Sequence, residues 1–257
     1  MNRKIVIAGN WKLHKTNQEA LQLANQIKIK NTHIKKAGII ICPPFTALSE
    51  VHSVVKDCNV ALGAQNVYWE KQGAFTGEIS AGMIKSTGAV YAIIGHSERH
   101  QYFGETDETV NKRINAALEA GLKPIVCVGE TLEEREKNIT AQVVTRQIKG
   151  AFAGMSADAM KNIIIAYEPV WAIGTGKTAT PDQAQEVHAL IRQLISKEFG
   201  NAVADNIVIQ YGGSVKPDNA ESLLGQKDID GALVGGACLD ADSFTAIIAA
   251  AEKLLQA

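Results

Sequence analysis

Ile163-Ile164-Ile165-Ala166-Tyr167-Glu168-Pro169-Val170-Trp171-Ala172-Ile173-Gly174-Thr175-Gly176-Lys177 contains one strand and the loop that leaves it. The β-branched run Ile163 to Ile165 is short and continuously apolar, as a strand covered on both faces must be. Pro169 has no N–H for a ladder, so it ends the strand directly after a carboxylate. Beyond the glycines, Thr180 precedes Pro181, a cap with proline at the first helical position, and helical spacing continues to Phe199. Burial beside Tyr167 and Trp171 is expected to raise the pKa of Glu168 by desolvation, which suits a base working near neutral pH. From this segment alone, a solvated Glu in an ordinary loop reads equally well.

The same strand, loop and helix recur along the chain. Apolar runs stand at Ile5 to Ala8, Ile39 to Cys42, Val60 to Leu62, Val90 to Ile94, Ile125 to Val128, Ile163 to Tyr167, Ile207 to Tyr211 and Ala232 to Val234. Asn17 to Ile29 and Thr106 to Ala120 carry helical spacing between them. Strict alternation predicts parallel strands joined by crossover helices. Eight such units in 257 residues is the size of a single-domain α/β fold, a (β/α)8 barrel over residues 1–257. An open doubly wound sheet is the competing topology from pattern alone.

Composition excludes several classes of partner. Lys+Arg 26 against Asp+Glu 27 gives a formal charge of -1, which offers no footprint for nucleic acid or an anionic membrane. Met1 to Val6 lacks the apolar core of a signal peptide, and no run approaches the roughly 18 apolar residues of a membrane span. A cytoplasmic location is therefore expected. Cys42, Cys58, Cys127 and Cys238 show no metal-ligand spacing with one another or with the six histidines, so free buried thiols and no metal are expected.

Polar residues fall just past the C-terminal ends of the predicted strands. Asn10 and Lys12 follow the first, His96 and Glu98 the fourth, Glu130 the fifth and Glu168 the sixth. Gly212-Gly213-Ser214 follow the seventh and Gly235-Gly236 the eighth. In a parallel barrel those ends share one face, so residues far apart in sequence converge on one ligand. Glu130 reads as a loop residue satisfying its own backbone and is left outside the site. The glycines let backbone N–H groups approach an anion, and a short helix after Gly235 would direct its N-terminus at a phosphate. Gly176-Lys177-Thr178 lacks the earlier glycine of a Walker loop, where Trp171 stands, and Gly174-x-Gly176-x-x-Ala179 lies too far from its strand for a dinucleotide fingerprint.

Asn10-Trp11-Lys12, Gly95-His96-Ser97-Glu98-Arg99, Tyr167 to Lys177, Tyr211-Gly212-Gly213-Ser214-Val215 and Val234-Gly235-Gly236-Ala237, in this order, resemble the triosephosphate isomerase family. The resemblance implies a TIM barrel and interconversion of dihydroxyacetone phosphate with D-glyceraldehyde 3-phosphate, in glycolysis and gluconeogenesis, without metal or organic cofactor. Glu168 is then the base, a role the family shares with a standard example of pKa tuning. His96, Lys12 and Asn10 supply donors where negative charge develops on the oxygens. His96 precedes a short helix start, whose positive end disfavours imidazolium, so a neutral ring is expected. Lys12 adds full positive charge for enediolate and phosphate, and Asn10 positions Lys12.

The resemblance also implies that Gly174, Ser214, Gly235 and Gly236 bind the phosphate, with Glu98, Cys127 and Tyr211 behind the groups that touch substrate. Residues 169–179 are expected to form a closing flap with hinges near Pro169-Val170-Trp171 and Lys177-Thr178-Ala179. Loop 65–78, containing Gly73-Ala74-Phe75-Thr76-Gly77-Glu78, resembles the family's dimer loop, so a homodimer is expected with Thr76 near the partner's site. Two positions depart from the commonest family pattern: His100 stands where a second Arg is usual, and Cys238 where Ser is frequent. Either departure is expected to alter a local ion pair or one hydrogen bond behind the phosphate seat. Another sugar-phosphate barrel enzyme, or a silent barrel that only binds, would lack part of the Asn10, Lys12, His96 and Glu168 set.

Overall fold

Eight parallel strands pair in chain order and close into a barrel in the computed structural model, which describes residues 3–174 and 178–256. They are β1 Val6–Asn10, β2 Gly38–Cys42, β3 Val60–Ala64, β4 Tyr91–Ile94, β5 Lys123–Val128, β6 Ile164–Tyr167, β7 Val208–Tyr211 and β8 Gly231–Val234. Closure comes from β1, whose Val6 registers with Gly38 of β2 on one side and Gly231 of β8 on the other. The doubly wound alternative is thereby excluded. Each predicted run contains its strand to within one or two residues.

Alternation along the strands divides the core in two. Val6 and Ala8 of β1, Ile40 and Cys42 of β2, and Ile125 and Cys127 of β5 point into the barrel with Ile93, Ile164, Ala166 and Leu233. Ile7, Ile39, Ile41, Val126 and Ile165 point outward into the larger layer between strands and helices. Both faces are covered, which is why the runs read as continuously apolar and not as alternating.

The helices begin where the capping chemistry places them. Thr180 accepts from Gln183 N while Gln183 accepts from Thr180 N, and Pro181 opens the helix Pro181–Phe199. Thr106 and Thr16 cap Asp107–Glu119 and Asn17–Lys30 by the same reciprocal pairing. At the N-terminal ends of the strands, charge joins the layers. Arg192 reaches Asp228 at 2.7 Å and Asp230 at 2.5 Å, and Arg3 reaches Asp230 at 2.6 Å. Glu252, on the last helix, accepts from the N–H groups of Lys35, Lys36 and Ala37 just before β2.

Among the described residues, no helix is long and apolar enough to cross a membrane. All four cysteines are free; Cys42, Cys127 and Cys238 are buried, but Cys58 is only half-buried.

Candidate active site

The C-terminal mouth of the barrel holds a cavity of about 720 Å³ walled by Asn10, Lys12, His96, Gly174, Ser214, Gly235 and Gly236. Four separate strands deliver these residues, together with the loop after β6. Lys12 has φ 51, a left-handed conformation that costs a non-glycine residue strain. Its amide donates to Asn10 Oδ1 at 3.0 Å, which holds that backbone in place. The ammonium meets Glu98 Oε1 at 2.5 Å. No atom comes within 4 Å of a Cβ built on Gly236, so this part of the wall is open to a ligand. Gly236–Leu239 forms a single 3-10 turn whose N-terminal end starts at Gly235.

His96 caps the helix Ser97–Phe103: its Nδ1 accepts from Glu98 N–H at 3.2 Å. That bond leaves Nδ1 without a proton, so a neutral ring carries its proton on Nε2. Nε2 lies 2.9 Å from Glu168 Oε1. Burial pushes His96 down, but the charge and hydrogen bond of Glu168 outweigh it and raise the ring above its ordinary value. The tendency comes from the facing carboxylate, and the Glu98 N–H opposes a second proton at Nδ1.

Glu168 is fully enclosed. Its Oε2 accepts from Ser97 N–H at 2.9 Å, and Oε1 accepts from the Ser97 hydroxyl at 3.3 Å. Burial is the largest influence and pushes its pKa up, as expected, but the His96 charge and hydrogen bond, the Ser97 N–H and the Cys127 thiol leave it below the ordinary value. The expectation of a raised pKa is therefore corrected: desolvation is present and three donor groups overcome it. Glu168 is not among the residues that wall the cavity above, though its carboxylate meets His96, which is. It lines a neighbouring one of about 770 Å³ with Ser97, Cys127, Gly129 and Trp171, so His96 stands in the wall between the two. Gly212 closes over the base, since a Cβ there would lie 2.8 Å from Glu168 Cγ.

Glu130, left outside the site by sequence, lines neither cavity, but it does more than satisfy its own backbone. It is fully buried and accepts from the Tyr167 hydroxyl at 3.1 Å and Trp171 Nε1 at 2.9 Å, and its carbonyl accepts from Val170 N–H at 3.0 Å. Burial raises its pKa, with Trp171, Tyr167 and Arg135 opposing. It thus holds the segment that leaves β6. Its position two residues past β5, matching the placement of other polar residues past their strands, was the available signal.

Tyr167 and Tyr211 flank His188 of the helix Pro181–Phe199, with ring centroids at 5.5 and 6.2 Å. His188 Nδ1–H donates to Ala184 C=O at 2.7 Å, and burial pushes the ring down to about 4. The Tyr211 hydroxyl is buried and has no full hydrogen bond among the described residues; burial pushes it up to about 12, with the Ala179 backbone opposing. Cys127, beside Glu168, is held a thiol well above its ordinary pKa by burial and that carboxylate. Of the two departures, His100 Nδ1 bonds Glu105 C=O at 2.8 Å and Cys238 Sγ donates to Asn10 C=O at 3.4 Å. Gly174 is exposed with φ 68, and of residues 169–179, Thr175, Gly176 and Lys177 lie outside the described residues.

The family model for triosephosphate isomerase matches residues 5–251. The chain belongs to the triosephosphate isomerase family. The triosephosphate isomerase of Alkaliphilus oremlandii is 55% identical over 246 residues, covering 96% of this chain and 99% of its own. That of Geotalea uraniireducens is 56% identical with 96% and 98% coverage. The crystal structure of triosephosphate isomerase from Bartonella henselae superposes with a TM-score of 0.88 at 42% identity, covering 96% of this chain and 98% of that one. The chain is an isomerase of this kind, built on a TIM barrel.

Proposed function

We propose that this chain interconverts dihydroxyacetone phosphate and D-glyceraldehyde 3-phosphate through an enediolate, in the cytoplasm and as part of glycolysis and gluconeogenesis. The observation that carries the reading is the 2.9 Å approach of Glu168 Oε1 to His96 Nε2, because His96 also walls the cavity shared by Lys12 and the glycine loops. A substrate carbonyl set against His96 and Lys12 lies within reach of one carboxylate.

Glu168 takes the proton from carbon and returns it to the neighbouring carbon, which requires exchange of its bonds to Ser97 and to the His96 Nε2–H for substrate. A positioned base of this type contributes about 10²- to 10⁴-fold. The Nε2–H of neutral His96 donates to the carbonyl oxygen and passes a proton between the two oxygens. Lys12, held by Glu98 and by the Asn10 bond to its backbone, offsets the charge that develops; one such donor is worth roughly 10²- to 10³-fold. Ser214, Gly235, Gly236 and Gly174 receive the phosphate, and no metal or organic cofactor takes part. Residues 169–179 close over the site, exclude water and suppress phosphate elimination. Tyr211 supports this closure, with its hydroxyl buried toward Ala179, next to the second hinge.

Proton NMR of dihydroxyacetone phosphate in D₂O tests the chemistry. Deuterium entering at the carbon beside the carbonyl, as glyceraldehyde 3-phosphate appears, is the expected outcome; absence of exchange with folded protein would refute it.

The same reading makes the functional unit a homodimer in which Thr76 of loop 65–78 reaches the partner's site near Lys12 and His96. Exposed Leu13, Phe75, Met83, Tyr102 and Phe103 all follow the C-terminal ends of β1, β3 and β4, and support an apolar interface there. Sedimentation at micromolar concentration is expected to give twice the chain mass; a monomer refutes the dimer.

A further inference from the structure

We infer that Gln147 is a positioning residue that sets the base and the flap hinge together, acting through the backbone of Gly129; the inference rests on the function proposed above. Gln147 lies on the helix Thr140–Ala151, half-buried against the loop after β5. Its Oε1 accepts from Gly129 N–H at 2.8 Å, and its Nε2 donates to Gly129 C=O at 3.0 Å. One carboxamide therefore satisfies both main-chain groups of a single loop residue and fixes the peptide planes on either side of it.

Gly129 transmits that constraint in two directions. A Cβ at position 129 would overlap the Glu168 carbonyl, so this backbone lies flat against the main chain of the base. Val128, just before it, accepts from Glu168 N–H at 2.7 Å. Glu130, just after it, holds Tyr167, Trp171 and the Val170 N–H. Gln147, Gly129, Glu168, Val170 and Trp171 line one cavity. A shift of Gly129 consequently moves the carboxylate and the first hinge at once. The phosphate residues on the loops after β7 and β8 make none of these contacts. Loss of Gln147 should therefore lower kcat much more than it changes KM, the signature of an interaction expressed after binding.

The test is steady-state kinetics with ¹⁹F NMR of protein labelled with 5-fluorotryptophan, whose three resonances report Trp11, Trp69 and Trp171 and are assigned with Trp171→Phe. Gln147→Leu removes both bonds. Gln147→Glu keeps the acceptor but sets a carboxylate against Gly129 C=O, and it carries the test if the first variant fails to fold. The expected result is a fall in kcat of about tenfold, since misplacement of about 1 Å costs up to 10²-fold, with KM within about twofold. The Trp171 resonance should move while those of Trp11 and Trp69 stay. An unchanged kcat, a rise in KM as large as the fall in kcat, or a fall in kcat with the Trp171 resonance unmoved overturns the role. Glu168→Gln is measured alongside. Normal turnover there defeats the proposed base, whereas a crippled Glu168→Gln beside a normal Gln147 variant defeats only the positioning.

Discussion

The two ends of the barrel are built on opposite principles. Below the strands, Asp230 accepts from Arg3, Arg192 and the Ile209 N–H, and Glu252 accepts from successive amides before β2. Charge there is matched to charge at short range and joins helices to strands. Above the strands, Lys12 sits in a left-handed conformation, the Tyr211 hydroxyl has no full bond among the described residues, and glycines leave open walls. Stability is concentrated at one end and reactivity at the other, the division expected where active sites occupy the C-terminal face. A mouth held in strained or incompletely satisfied states is tolerable because the opposite end over-determines the fold.

The sharpest way to break this contrast is to remove one group from each end. Glu168→Gln should lower turnover by about 10³-fold, within the span of a positioned base, and leave the urea midpoint unchanged or slightly raised. Near-normal turnover would end the assignment of the base.

Asp230→Ala should do the reverse. It leaves Arg3 and Arg192 facing a buried gap, which costs about 3 kcal/mol in urea unfolding, while kcat/KM of the folded fraction stays as it was. A catalytic defect without destabilisation would show that the ends are not separable.

His188 tests the boundary between them. Its folded pKa of about 4 lies below the ordinary value of 6.5, so below pH 6.5 the unfolded chain binds a proton that the folded chain refuses. This contribution is present above pH 6.5 and is lost as pH falls toward 4, amounting to about 2 kcal/mol by pH 5. His188→Phe should flatten that part of the stability profile; an unchanged slope would assign the acid sensitivity elsewhere.

The strands and main helices could be read from the chain because their signals are local. Ile163 to Tyr167 needs no neighbour to read as a covered strand, and Thr180-Pro181 states its own helix start. The motifs likewise placed Asn10, Lys12, His96 and Glu168 at the C-terminal ends of their strands, although Asn10 is the last residue of β1 and not beyond it. Interactions between distant segments were not legible. Glu130 reads as an ordinary loop acid until Tyr167 and Trp171 are folded against it. The direction of the Glu168 shift failed for the same reason: desolvation can be foreseen from Tyr167 and Trp171, but the opposing Ser97 N–H belongs to the helix that follows β4, two strands away around the barrel.

The vacancy beside Gly236 has an evolutionary consequence. A methyl group added there meets no neighbouring atom, so the ligand cavity can be narrowed by one codon change without repacking the barrel. What holds that position to glycine is therefore the anion it is proposed to receive and not the packing of the barrel, so a side chain there would be felt by the ligand before it was felt by the scaffold.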